Sequence, residues 1–151
     1  MALTDATSTT GPPPALGGSA RRATFVLSAD VRAVGEARCC VLEHLSSWGV
    51  NRDGCDIAVL VVSELFTNSV VHTASRMITC HLGATPDKLL IQVTDEGSRE
   101  SAPTPQRASL HDEAGRGLML VKAVSRRWGV SPTEDGDGRT AWAELPAQVR
   151  A

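Results

Sequence analysis

Apolar residues recur at helical spacing in three stretches of this chain and cluster or alternate in five short ones. From Val31 to Trp48 they fall at positions 31, 34, 37, 41/42 and 45, with Arg38 as the polar exception, and Gly49 stops the run. A second helical pattern runs from about Cys55 to Thr73, after an expected turn at Asn51-Arg52-Asp53-Gly54. Its middle, Ile57 to Val62, is apolar nearly all round, as for a helix covered on several sides. The third runs from Leu118 to about Trp128, opened by Gly115-Arg116-Gly117.

The short apolar runs predict strands at 23–28, 77–82, 88–94, 129–133 and 139–145. Gly83 to Asp87 joins the second to the third as a hairpin, and Glu134 to Gly138 joins the last two. The resulting order is β-α-α-β-β-loop-α-β-β. Hairpin-linked strands with helices between them predict an α+β domain: a two-layer sandwich with a mixed, mainly antiparallel sheet and the helices on one face. Residues 1–21 are rich in Thr, Ser, Pro and Gly and read as a disordered tail, leaving one domain over 22–147. Residues 98–114, with Pro103 and Pro105, read as a long lid-like loop.

Composition narrows the function. With 15 basic and 17 acidic residues and no basic stripe, neither nucleic acid nor an anionic membrane is an expected partner. Three Trp, two Phe and no Tyr give no stacking platform for single strands. Cys39, Cys40, Cys55 and Cys80 include no CxxC, and the adjacent pair sits in a helical pattern, so buried free thiols in a reducing cytosol are expected. No leader-like apolar segment is expected, and no apolar run is expected to reach the ~18 residues of a membrane span.

Within the second helix, Glu64, Asn68 and His72 stand four residues apart. A step of four advances only ~40° around a helix, so the three share one face. Ile57, Leu60 and Val61 lie on that face one turn upstream, and a carboxylate and carboxamide set into an apolar stripe demand partners. The pairing is either an internal polar network or a bound metal and ligand. Mg²⁺ takes few protein ligands and uses substrate phosphates for the rest, so one amide oxygen from Asn68 suffices. Glu64, a turn away, suits a proton acceptor. Asp95, ending an apolar strand, can accept from an exocyclic amine, and Gly97 lets a flat base approach the backbone. Gly115 and Gly117 at a helix start leave N–H groups free for phosphate. Neither a P-loop nor a three-glycine dinucleotide fingerprint is present.

The order Glu64-x-x-x-Asn68-x-x-x-His72, Asp95-x-Gly97, lid, Gly115-x-Gly117 resembles the ATP-binding domain of the GHKL superfamily, the histidine-kinase-like ATPase fold. Within it the chain is most similar to the small bacterial anti-sigma-factor serine/threonine kinases. The stretches that carry this are Glu64-Leu-Phe-Thr-Asn68-Ser-Val-Val-His72, Gly115-Arg-Gly-Leu-Met-Leu-Val121 and Gly138-Arg-Thr-Ala-Trp142-Ala-Glu-Leu145. The resemblance covers roughly residues 23 to 146. It implies ATP and Mg²⁺ as cofactors, Glu64 as catalytic base and Asn68 as the metal ligand. It also implies Asp95 and Gly97 at the adenine, and Gly115, Arg116, Gly117 and Leu118 beside the phosphates. His72 belongs to the same nucleotide site, and Thr140 matches a family hydroxyl near the base. The partners implied are a sigma factor, a STAS-domain anti-sigma-factor antagonist as substrate, and a second copy in a homodimer. The alternative is a module that binds ATP and regulates by protein binding without transfer.

Overall fold

The structure, a computed structural model, describes residues 7–9, 11–97, 114–134 and 136–146, with 7–9 and 114–118 described by backbone alone. The expected lid lies outside the described residues except for Ala114. The elements are β1 (Thr7–Thr9), β2 (Arg21–Ser28), a 3-10 turn (Val31–Ala33), α1 (Val34–Ser47), α2 (Arg52–His72), β3 (Met77–Thr85), β4 (Lys88–Thr94), α3 (Ala114–Val124), β5 (Arg127–Pro132) and β6 (Arg139–Pro146). They form a six-stranded sheet in the order β1-β5-β6-β4-β3-β2. All neighbouring pairs are antiparallel except β1 with β5. This is the α+β architecture the patterning predicts.

Alternation sorts each strand onto two faces. Ile78, Cys80 and Leu82 of β3, Leu89, Ile91 and Val93 of β4, and Ala143 and Leu145 of β6 form the core with α1 and α2. α1 contributes Ala37, Val41 and Leu45, one residue per turn. Arg38, the exception in that stripe, donates from Nε to the buried Ser63 Oγ of α2 at 2.8 Å, which ties the two helices together. α2 is 21 residues long and apolar enough to cross a membrane by length and composition, contrary to the sequence expectation. Half of its apolar window is buried inside this fold, as for a core helix.

Several boundaries differ from the sequence pattern for local reasons. α2 starts at Arg52 because the Asn51 side chain caps it, accepting from Gly54 N at 2.9 Å. The expected turn at 51–54 is thus a cap and a first helical turn. The hairpin between β3 and β4 is tighter than expected, with Thr85 paired to Lys88. α3 ends at Val124 and Trp128 lies in β5, so the third helix is shorter than its apolar run.

The expected disorder over 1–21 does not hold for its described part. Thr7–Thr9 pair with Arg127–Gly129, and Arg21 already belongs to β2. Between them, the segment crosses the sheet face opposite the helices. Trp142 Nε1 donates to the Gly11 carbonyl at 3.1 Å, and Leu16 rests against Gly83. Trp142 and Leu90, on that outer face, are only 1% and 4% exposed. A cavity of about 110 Å³ remains beneath the segment, between Leu16, His81, Leu90 and Gln92. The cysteines are free, as expected, but only Cys55 and Cys80 are buried; Cys39 is exposed.

Candidate nucleotide site

The buried stripe of α2 runs through Cys55, Ala58, Val61, Val62, Leu65, Phe66 and Ser69. Glu64, Asn68 and His72 run alongside this stripe, each half-buried. They border the core instead of lying in it, and Val71 beyond them is exposed. No described residue pairs with the Glu64 carboxylate. Asn68 Oδ1 is buried and has no hydrogen-bond partner. A buried amide oxygen left unsatisfied costs about 1–3 kcal/mol, a cost that a coordinating ion or donor would remove.

The C-terminal end of α2 is stitched to the Asp95 turn. Thr73 Oγ1 donates to Ser69 O at 2.6 Å and lies 2.8 Å from Ser75 Oγ. Ser75 Oγ accepts from Glu96 N at 2.7 Å, while Glu96 Oε1 accepts from Arg76 N at 2.7 Å. Ala74 N donates to Gly97 O at 3.3 Å. Glu96, which the sequence reading passed over, is therefore the buckle between the two motifs. Its signal was only its position between Asp95 and Gly97.

Asp95 itself is 5% exposed. Its Oδ1 accepts from Gly97 N at 2.8 Å and from Arg139 N at 3.1 Å. Gly97 has φ +84°, and a Cβ there would collide with the Asp137 carbonyl. A Cβ on Gly138 would likewise meet the Asp95 carbonyl. The β5–β6 tip and the Asp95 turn are thus in direct backbone contact, leaving no side chain between them. Burial pushes the Asp95 carboxyl above its usual range, with Arg139 opposing. Burial, then the charge of Arg139, holds His72 below its usual value.

The structure brings Asp95, Gly97 and the end of α2 together. Gly115, Arg116, Gly117 and Leu118 lie within the first turns of α3, not ahead of it. The first N–H groups of a helix lack internal acceptors, so Gly115 and Arg116 keep free donors as a phosphate site requires, whereas Leu118 N–H falls four residues beyond the Ala114 carbonyl and belongs to the helical ladder. Thr140 is not brought to Asp95. It is the register partner of Thr94, and the two hydroxyls are 2.8 Å apart. Alternation puts that pair on the face away from Asp95. Arg139 is the residue beside the carboxylate, with Nε 3.9 Å from Oδ2.

Residues 27–144 match the model of the histidine kinase-like ATPase domain. The chain belongs to that family. No curated protein matches it. A crystal structure of the RsbU and RsbW domains of Rv1364c from Mycobacterium tuberculosis shares the fold, with a TM-score of 0.61 and 18% identity. The match covers 87% of this chain but 34% of that one, so this histidine kinase-like ATPase domain spans about a third of the protein it resembles.

Membership in the family implies ATP as ligand, and the residues fit. Asn68 offers an orphan oxygen and Asp95 a buried acceptor, while Gly97 lets the Asp95 turn pack directly against the Asp137 carbonyl. Among the described residues no three His, Cys, Asp or Glu side chains gather into a metal cluster. A divalent ion at Asn68 would therefore draw most of its oxygens from phosphate and water, as Mg²⁺ does.

Proposed function

We propose that this domain is an ATP- and Mg²⁺-dependent protein serine/threonine kinase of the anti-sigma-factor type, acting in the cytoplasm. The observation that carries the reading is the orphan Oδ1 of Asn68, one helical turn beyond Glu64, whose carboxylate has no partner among the described residues. When bound, Mg-ATP supplies the transferable phosphoryl group and the cation that neutralises its charge. The chain's residues do the rest. Asn68 offers its carboxamide oxygen to the ion. Asp95 accepts from the base amine, and the backbone N–H groups of Gly115 and Arg116, at the start of α3, face phosphate. His72, kept neutral by burial, adds no competing charge to the site. Glu64 holds a substrate hydroxyl and takes its proton. Catalysis in this class is mainly positioning and electrostatics, so one carboxylate and one amide on a rigid helix are sufficient side-chain machinery.

The substrate proposed is a hydroxyl of a small STAS-type antagonist, and the second partner a sigma factor held inactive. Phosphorylating the antagonist stops it from displacing sigma. Support comes from the motif stretches around Glu64, Gly115 and Gly138 that resemble those kinases. The test is incubation with γ-labelled ATP, Mg²⁺ and a STAS-domain protein. Label on Ser or Thr, lost in Glu64→Ala while ATP still binds, is expected. Binding without transfer overturns the kinase and leaves a nucleotide-dependent regulatory clamp.

A further inference from the structure

Arg139 is fixed at the base end of the site by its own backbone. Its N donates to Asp95 Oδ1 at 3.1 Å, and its carbonyl accepts from Asp95 N at 2.9 Å. The origin of the side chain is therefore set by the strand pairing. From there Nε comes to 3.9 Å from Asp95 Oδ2. That is an ion-pair distance but too long for a hydrogen bond. Oδ2 thus keeps its acceptor capacity, because both short contacts go to Oδ1. The guanidinium keeps its donors, because no described residue accepts from it. Asp95 lies at the bottom with its side chain 3% exposed, whereas that of Arg139 stands at the rim, 48% exposed.

A buried acceptor and an uncommitted planar donor side by side form a two-point reader. Its complement is an edge that offers an amine next to a ring acceptor. Adenine has this edge in its exocyclic amine and the adjacent ring nitrogen N1. We propose that Arg139 reads the nucleobase: its guanidinium donates to N1 while Asp95 accepts from the neighbouring amine. This inference rests on the nucleotide site proposed above. It assigns to Arg139 the base-edge role that the family resemblance implies for Thr140, whose hydroxyl is engaged by Thr94 on the other face. The glycines at 97 and 138 hold the Asp95 turn in backbone contact with the start of β6, which fixes Asp95 and Arg139 relative to each other.

The competing role for Arg139 is a mere counter-charge for Asp95. A cycle that alters protein and ligand together separates the two. The full chain, with and without Arg139→Ala, is titrated with ATP and with 1-deaza-ATP, in which N1 is replaced by C–H. In the unaltered chain, ATP is expected to bind about ten-fold more tightly than the deaza analogue, the size of one lost hydrogen bond to a charged donor. In Arg139→Ala that gap should close, because nothing is left to recognise N1. Arg139→Lys, which keeps the charge but not the fork, should give an intermediate gap. An equal gap in all three proteins overturns the inference and leaves Arg139 as a counter-charge. Failure of the unaltered chain to bind either nucleotide overturns the site itself and this inference with it. Melting curves of the unliganded variants check that the half-exposed side chain was removed without unfolding the domain.

Discussion

Asp95 and Arg139 are joined twice through the backbone of Arg139. Asp95 N donates to the Arg139 carbonyl, and Arg139 N donates back to the Asp95 carboxylate. The acid that would receive the base is thus anchored to the strand that follows the β5–β6 tip. Asp95→Asn keeps an oxygen for Gly97 N and Arg139 N, so the turn should survive. The sign of the charge effect follows from burial, which raises the native carboxyl above its ordinary 3.8. The native state therefore binds the proton more tightly, and this group's contribution to stability falls as pH rises from about 4 through the raised value. Removing the charge should leave the melting temperature at pH 7 unchanged or higher. ATP affinity should drop at least about ten-fold. Thermal melts with and without Mg-ATP give both readouts.

Asn68→Ala offers a complementary separation. The orphan oxygen contributes nothing favourable to the unliganded fold, so its loss should change urea-unfolding stability by less than about 1 kcal/mol. The increase in stability on adding Mg-ATP should disappear. A large loss of unliganded stability would show instead that Asn68 is part of a core network.

Gly97→Ala tests the contact between the two turns. The positive φ alone costs an alanine about 1 kcal/mol or more, and the collision with the Asp137 carbonyl adds to it. A loss of roughly 2–3 kcal/mol in chemical denaturation, together with weakened ATP binding, is expected.

His72 sets the acid limb. Its native value lies below its ordinary 6.5, so the unfolded chain binds the proton more readily. Stability from this group is present above about pH 6.5 and is lost as pH falls through the lowered native value. Denaturation midpoints measured from pH 7.5 to 5 should decline, and His72→Gln should flatten that decline. An unchanged slope in the variant would assign the acid sensitivity elsewhere.

The α2 motif was legible because i, i+4 spacing on a long helix survives a shift of a few residues at either end. The strand-borne part was not. Arg139 and Thr140 differ by one position, and one position in a strand selects the opposite face. Only the Thr94–Thr140 register decides between them. The start of α2 was missed because Asn51-Arg52-Asp53-Gly54 suits a turn and a capped helix equally, and the Gly54 N–H reaching Asn51 is a structural fact. The helices, the two hairpins and their order could be read from periodicity. The path of residues 11–17 could not, because Trp142 and Leu90 read as ordinary alternating strand residues until their cover is seen.

The parallel pairing of Thr7–Thr9 with Arg127–Gly129 has a consequence for biosynthesis. The ribosome delivers the short strand long before its template exists. At 5–20 residues per second, roughly 6 to 24 s of translation separate the two. During that interval the Pro-rich stretch has no finished sheet to lie on, and the outer edge of the nascent domain is completed only when the last hairpin emerges.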